Sequence, residues 1–230
     1  MRPVKDYELL VVDLDGTLIP YNSFHRWLVH LLKRGAPGAR MEARVFVLRE
    51  ILRRLTGWGN HQDMKLAVMR FWREAMARAP EKAAAQSVQF ASKIQSDFRS
   101  DLMELISNAR ARGVPCILAT AAPDDYARAL ADSGLFDSVL ASRVVGDVLD
   151  ENRFEKKLEN VRAEMSRRGW QGRAIALATD HGDDQPLCAE SCFVYWYGTE
   201  ASWTELQNGL GSIAGEMRSL ARSRRALPTQ

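Results

Sequence analysis

Four stretches of the chain carry side chains whose types and spacing could do chemistry together. "LLVVDLDGTL" ends an apolar run in Asp13 and Asp15, one leucine apart. Alternation along a strand would point both carboxylates to one side and Leu14 to the other. Two carboxylates so close repel, and burial makes each charge costlier, so a bound cation or a chemical task is the usual compensation. The plainer alternative is a strand running into a solvated acidic turn. "VPCILATAAP" delivers a hydroxyl, Thr120, and "FEKKLENV" opens a helix with Lys156 and Lys157. "AIALATDHGDDQPL" delivers Asp180, with Asp183 and Asp184 close behind.

The elements that must position these groups read as strands alternating with helices. Apolar runs predict strands at 7–12, 114–119, 139–145, 174–179 and 191–196, and helical patterns fall at 99–112, 124–133 and 157–168. That alternation predicts an α/β fold, a Rossmann-like parallel sheet flanked by helices with right-handed crossovers. Open parallel sheets bind ligands at the carboxyl ends of their strands, which is where the acid pair, the hydroxyl, the lysine and the second acid pair would converge. Gly113 and Gly169 follow basic residues where helix C-termini are expected.

Residues 21–95 show no strand-like alternation. "SFHRWLVHLLKRG" predicts a helix with Ser23 as N-cap and Gly35 at its end. A second helix carries Met41, Val45, Leu48, Leu52 and Leu55 at spacings of three and four. After "TGWGN", Asn60 with Asp63 caps a third helix that presents Met64, Ala67, Val68, Phe71, Trp72, Ala75 and Met76, and a fourth covers 81–95. The chain therefore divides into an α/β core, 1–20 with 96–230, and an all-helical insert, 21–95.

The insert is the basic part. Between residues 20 and 95, 14 Lys and Arg face 5 Asp and Glu, a net +9 within a chain of net +3. Such a field attracts anionic ligands, or belongs to ordinary solvated helix faces. The tail "RSLARSRRALPTQ" adds four arginines and is expected to fray. Apolar content of 46% and charged content of 27% fit a soluble globular protein. No apolar run approaches a membrane span, the N-terminal apolar stretch is too short for a secretion signal, and a cytoplasmic location is the expectation. Cys116, Cys188 and Cys192 are too few and too irregular for a disulfide framework or a zinc site. The basic residues follow no nucleic-acid reading motif, so no nucleic-acid partner is expected.

"DLDGTL", "ILAT", the lysine and "DHGDD" resemble the four motifs of the haloacid dehalogenase superfamily of phosphotransferases. The insert is similar to the C1 cap of its phosphoserine phosphatase-like branch, subfamily IB. Within that branch "DLDGTLIPYNSFHRWLVHLLKRG" and "TDHGDDQPL" loosely resemble phosphatidylglycerophosphatase C-type sequences. The resemblance implies a magnesium-dependent phosphomonoester hydrolase. In it Asp13 would attack phosphorus, and Asp15 would protonate the leaving group and then activate water. Thr120, Ala121 and Lys157 would hold the phosphoryl group. Mg2+ would sit on the Asp13 carboxylate, the Asp15 carbonyl and Asp180, with Asp184 orienting that shell. An acid at position 15 favours phosphate monoester chemistry over halide displacement or ion pumping, while a mutase would use the same pair.

Some positions stay open. Lys157, followed by an apolar residue, fits the family spacing better than Lys156, and "DxxxDxPL" favours Asp184 over Asp183. His181 stands where the family usually has a small residue, as an incidental loop residue or a neighbour of the metal shell. Asn22 stands where phosphoserine phosphatases carry a glutamate, which argues against phosphoserine as substrate. Trp27, Trp58, Phe71 and Trp72 read as core of the insert or as substrate-facing residues, and Arg26 as a solvated arginine or a contact for a second anionic group. The expected partner is a small phosphorylated metabolite. A lipid phosphate, met by peripheral membrane contact through the basic insert, is the runner-up. A non-catalytic binding protein on the same fold is the reading from another class.

Overall fold

The computed structural model describes residues 7–36 and 39–210. The arginine-rich stretch 218–230 lies outside the described residues. In chain order the elements are β1 (Leu9–Val12), α1 (Ser23–Arg34), α2 (Arg40–Leu55), α3 (His61–Arg78), α4 (Pro80–Gln95), α5 (Ser100–Ala111), β2 (Cys116–Pro123) and α6 (Asp124–Ala127), which runs on as a 3-10 turn to Ser133. There follow β3 (Ser138–Val145), β4 (Val148–Asp150), α7 (Glu155–Arg168), β5 (Ile175–Thr179), α8 (Gln185–Glu190), β6 (Ser191–Trp196) and α9 (Glu200–Leu210).

The sheet order is β4-β3-β2-β1-β5-β6. β1, β2, β3, β5 and β6 pair in parallel, as the alternating pattern predicts. One edge strand adds to the parallel sheet read from the sequence: β4 pairs antiparallel with β3. The two strands are joined by the two-residue turn Gly146-Asp147, with Gly146 at φ 58°. An apolar–Gly-Asp–apolar run is itself a hairpin signal.

Successive residues of β1 serve opposite cores. Leu10 and Val12 pack with α1, α3, α4, α5 and α6 on one face, while Leu9 and Val11 pack with α7, α8 and α9 on the other. Both faces of β1 are thus covered, which is why its four residues are all apolar rather than alternating. No helix among the described residues is long and apolar enough to cross a membrane.

Helices α1 to α4 occupy the stretch between β1 and β2. The N-cap of α1 is Asn22, not Ser23: the Asn22 side chain accepts from the His25 N–H at 3.1 Å. Asn60 and Asp63 form a reciprocal capping box on α3, and Gly35 ends α1, both as expected. In α2 the buried residues are Ala43, Val47 and Glu50. Met41, Val45, Leu48, Leu52 and Leu55, which share a face by spacing, are exposed to solvent. Trp27 and Trp72 meet edge to face in the buried core, their centroids 4.8 Å apart, and Trp27 also packs against the Tyr126 ring of α6. Phe71 stacks on Phe46, Trp58 is exposed, and the Arg26 guanidinium covers the Tyr21 ring.

Candidate active site

A cavity of about 420 Å³ opens at the carboxyl ends of β1, β2 and β5. Asp13, Asp15, Thr120, Ala121, Lys157, Asp180 and Asp184 all line it. Residues from 144 positions apart in the chain come within bonding distance here, so the convergence expected from the strand order occurs.

Asp13 and Asp15 reach the cavity from a turn rather than from the strand itself. β1 ends at Val12, and the Leu18 and Ile19 N–H groups fold back to donate to the Asp13 and Leu14 carbonyls. Leu14 enters the core while the two aspartates face the cavity and take different partners. Asp13 accepts from Lys157 Nζ at 2.7 Å, and Asp15 accepts from the Ser23 N–H at 2.8 Å. Ser23 is therefore a donor to the site. Its hydroxyl is fixed in turn by the buried Tyr126 OH at 2.7 Å. Gly16 makes the turn at φ 77°, and a Cβ there would stand 2.0 Å from Asp180 Oδ2. That position requires glycine both for its backbone and for the close approach of Asp180.

The alternatives left open in the sequence are separated by burial and partners. Lys157 is 3% exposed and its Nζ lies 2.7 Å from both Asp13 and Asp184, whereas Lys156 pairs with Glu159 on the surface. Asp184 is buried and also accepts from Thr179 Oγ1 at 2.6 Å, while Asp183 pairs with Arg153. The exposed His181 accepts the Asp183 N–H on Nδ1 and so caps the 3-10 turn Gly182–Asp184. Asp180, at the end of β5, accepts from Thr17 Oγ1 at 3.2 Å.

Thr120 sits where the pairing of β2 with β3 breaks register, between Ala119 and Pro123. The carbonyls freed there still need partners. Asn152 Nδ2 donates to the Thr120 carbonyl at 3.1 Å, and Lys65 Nζ and Ser142 Oγ donate to the Ala121 carbonyl at 2.5 and 2.6 Å. The Thr120 hydroxyl accepts the Ala122 N–H at 3.0 Å, which leaves its own proton for a ligand in the cavity.

Four lining residues escape a motif-based reading: Lys65, Glu151, Asn152 and Arg153. Lys65 comes from α3 and forms a 2.6 Å ion pair with Glu151. No local pattern announces this pairing across 86 positions; the only signal was a lysine amid the apolar positions of α3. Phe24 and His61 bring the first turns of α1 and α3 to the cavity, with their rings edge to face. Trp27, Trp58, Phe71 and Trp72 are not among its lining residues.

The electrostatics are set by too many carboxylates. Six of them (Asp13, Asp15, Glu151, Asp180, Asp183 and Asp184) line the cavity against three cations, Lys65, Arg153 and Lys157. Burial pushes Asp13 up to about 8; Lys157 opposes this, and the neighbouring Asp184 adds to it. Burial alone would lower Lys157, but Asp13 and Asp184 together hold it well above its usual range. The two directions agree physically, because one ammonium shared by two carboxylates stays charged but neutralises only one of them. Burial also raises Asp15 and Asp180 against the hydrogen bonds from Ser23 and Thr17. Glu151 moves the other way: burial raises it, yet Lys65 outweighs burial and holds it below the usual carboxylate range.

An all-oxygen donor set with excess negative charge suits a hard cation such as magnesium. Among the described residues no three His, Cys, Asp or Glu side chains form a ready metal-ligand group. The cavity therefore offers separate carboxylates and backbone carbonyls rather than a closed protein cage. Magnesium, which keeps several waters, accepts such a partial set.

Comparison with solved structures gives the fold independent support. A protein of unknown function from Bordetella pertussis Tohama I superposes with a TM-score of 0.68 at 18% identity, covering 87% of this chain and 94% of that one. A probable phosphoserine phosphatase from Vibrio cholerae, unliganded, gives 0.55 at 11%, covering 86% and 58%. A phosphoserine phosphohydrolase-like protein from Francisella tularensis gives 0.50 at 14%, covering 92% and 94%. Among curated proteins no sequence match is found. Residues 10–189 match the family model of the haloacid dehalogenase-like hydrolases, a span that runs from β1, just ahead of Asp13, past Asp184, and the chain therefore belongs to that family.

Proposed function

We propose that this hydrolase is a magnesium-dependent phosphomonoesterase acting through an aspartyl-phosphate on a small anionic phosphorylated metabolite. The observation that carries the reading is the meeting of Asp13 and Asp15 in one cavity, with Lys157 bridging Asp13 to Asp184. A phosphate ester approaching six carboxylates and three cations meets net repulsion unless a further cation is present. Asp13, the Asp15 carbonyl and Asp180 would hold magnesium, with Asp184 orienting its shell. When bound, the ion would neutralise phosphoryl charge and favour the ionised form of Asp13.

The residues divide the work as follows. Asp13 attacks phosphorus in line and becomes the acyl phosphate as the alkoxide leaves. Asp15, kept protonated longer than a free carboxyl by burial, donates its proton to that alkoxide and then takes one from the hydrolytic water. The Ser23 N–H fixes Asp15 throughout. The Thr120 hydroxyl, the backbone at Ala121 and the Lys157 ammonium hold the phosphoryl oxygens. Residues 21–95 act as a cap over a core formed by 1–20 and 96–230, and Tyr21, Asn22, Phe24, His61 and Lys65 are its contributions to the cavity lining. Asn22, bonded to the His25 N–H, puts no negative charge at the mouth, and this suits an anionic substrate lacking an ammonium group. A cytoplasmic location accords with such a substrate.

Phosphate release from a panel of phosphomonoesters, with wild type and Asp13→Asn compared in magnesium and in chelator, tests this reading. Release that needs both the metal and Asp13 supports it. Release by Asp13→Asn at the wild-type rate overturns it.

A further inference from the structure

The exposed large apolar side chains are concentrated on one helix face. Of eleven among the described residues, six are Met41, Val45, Leu48, Leu52, Leu55 and Trp58. The first five form a single stripe along α2, opposite the face that buries Ala43, Val47 and Glu50. Leu55 is 77% exposed and Trp58, in the turn beyond, 82%. A contiguous apolar patch of this kind on a soluble chain marks an interaction surface.

Charge says what covers it. By helical spacing Arg44 borders the stripe on one side, and Arg49 and Arg53 border it on the other with the exposed Glu42, paired to Arg78, between them. Glu50, the acid that both Arg49 and Arg53 reach, is buried on the opposite face. The surrounding segment 20–95 carries 14 basic residues against 5 acidic ones. Two copies joined through this face would bring two such basic segments together. A leucine stripe rimmed by arginine, with a tryptophan at its end, is instead the pattern of a helix lying in the interface of an anionic bilayer.

We infer that α2 and Trp58 form a docking surface for anionic membranes. Trp58, in the turn beyond the stripe, lies three residues before His61, which lines the cavity, so docking brings the cavity mouth close to the headgroups. The inference concerns binding alone and stands whether or not the proposed chemistry is right.

The test is co-sedimentation of the full chain with vesicles of equal phosphatidylglycerol and phosphatidylcholine, and with phosphatidylcholine alone. Binding to the anionic vesicles only, weakened by salt, is expected. Leu48→Ser combined with Leu52→Ser, both at exposed positions, should reduce binding at least about tenfold while far-UV circular dichroism stays unchanged. Brominated lipid should quench fluorescence in the wild type but not in Trp58→Phe. No binding to anionic vesicles at low salt overturns the proposal, as does binding that the paired variant leaves intact. Sedimentation showing a wild-type dimer that the paired variant dissociates, without vesicle binding, assigns the face to a second copy and also overturns it.

Discussion

The Lys65 ammonium stands 2.6 Å from the Glu151 carboxylate and ties α3 to the segment just beyond β4. Lys65 is buried, so the pair is shielded from solvent and each partner depends on the other. Lys65→Met keeps the stem and removes the charge, leaving Glu151 with the Gln62 amide at 3.0 Å but no ion-pair partner and the Ala121 carbonyl with Ser142 alone. The expected loss is about 3 kcal/mol of unfolding free energy. Glu151→Gln added to that variant should recover at least about 1 kcal/mol. Denaturant melts of the two single variants and the double one decide it; strict additivity would show the pair to be uncoupled.

The Gly16 turn makes a separate prediction about Asp180. Alanine there must adopt φ near 77° and its Cβ would displace the Asp180 carboxylate. The backbone cost is of order 1 kcal/mol, which a folded chain survives. Displacing a proposed metal ligand is the larger effect. Gly16→Ala should lose at least about a hundredfold in kcat/KM, equivalent to about 2.7 kcal/mol of transition-state stabilisation. It should also show a smaller rise of Tm on adding magnesium than the wild type does. A variant with wild-type turnover would remove Asp180 from the proposed ligand set.

Lys157 offers the matching test from the opposite charge. Lys157→Met leaves Asp13 and Asp184 buried together with no cation between them. Breaking such a buried arrangement costs about 3–5 kcal/mol. Magnesium should therefore raise the Tm of the variant by more than it raises that of the wild type, and chelator should reverse the gain. Equal rises in the two proteins would mean that the Lys157 charge does not act on the bound cation, and no rise in either would mean that no divalent cation binds beside these carboxylates.

These groups differ in how far the sequence disclosed them, and the reason is locality. Asp13, Asp15, Thr120, Asp180 and Asp184 follow apolar runs that a buried parallel strand must have, so strand order alone places them on one edge. Lys65, Glu151 and Asn152 gain their roles only through contacts with distant segments. Asn152 serves the Thr120 and Leu140 carbonyls because β2 and β3 slip in register, and no pattern around residue 152 records that slip. The spacing of Met41 through Leu55 revealed an apolar face but not its surroundings. Periodicity reports that a helix has two unlike sides; which side meets protein depends on how its neighbours pack.

His30 carries a pH dependence independent of the cavity. Its ring stacks on Trp27 at 5.3 Å and packs against Phe90, and its Nε2 is buried without a hydrogen-bond partner. Burial, with smaller contributions from the charges of Lys93 and Arg34, lowers its pKa to about 4. Unfolding restores a value near 6.5, so between those two pH values the unfolded chain binds more protons than the folded one. Stability therefore falls as pH drops from about 6.5 to about 4, by up to about 3 kcal/mol, and this contribution is constant above and below that window. His30→Phe keeps the ring among its aromatic neighbours and removes the titration. Its urea-derived stability should decline less than that of the wild type across the window. Parallel curves for the two proteins would show that His30 is protonated as easily in the folded chain as in the unfolded one.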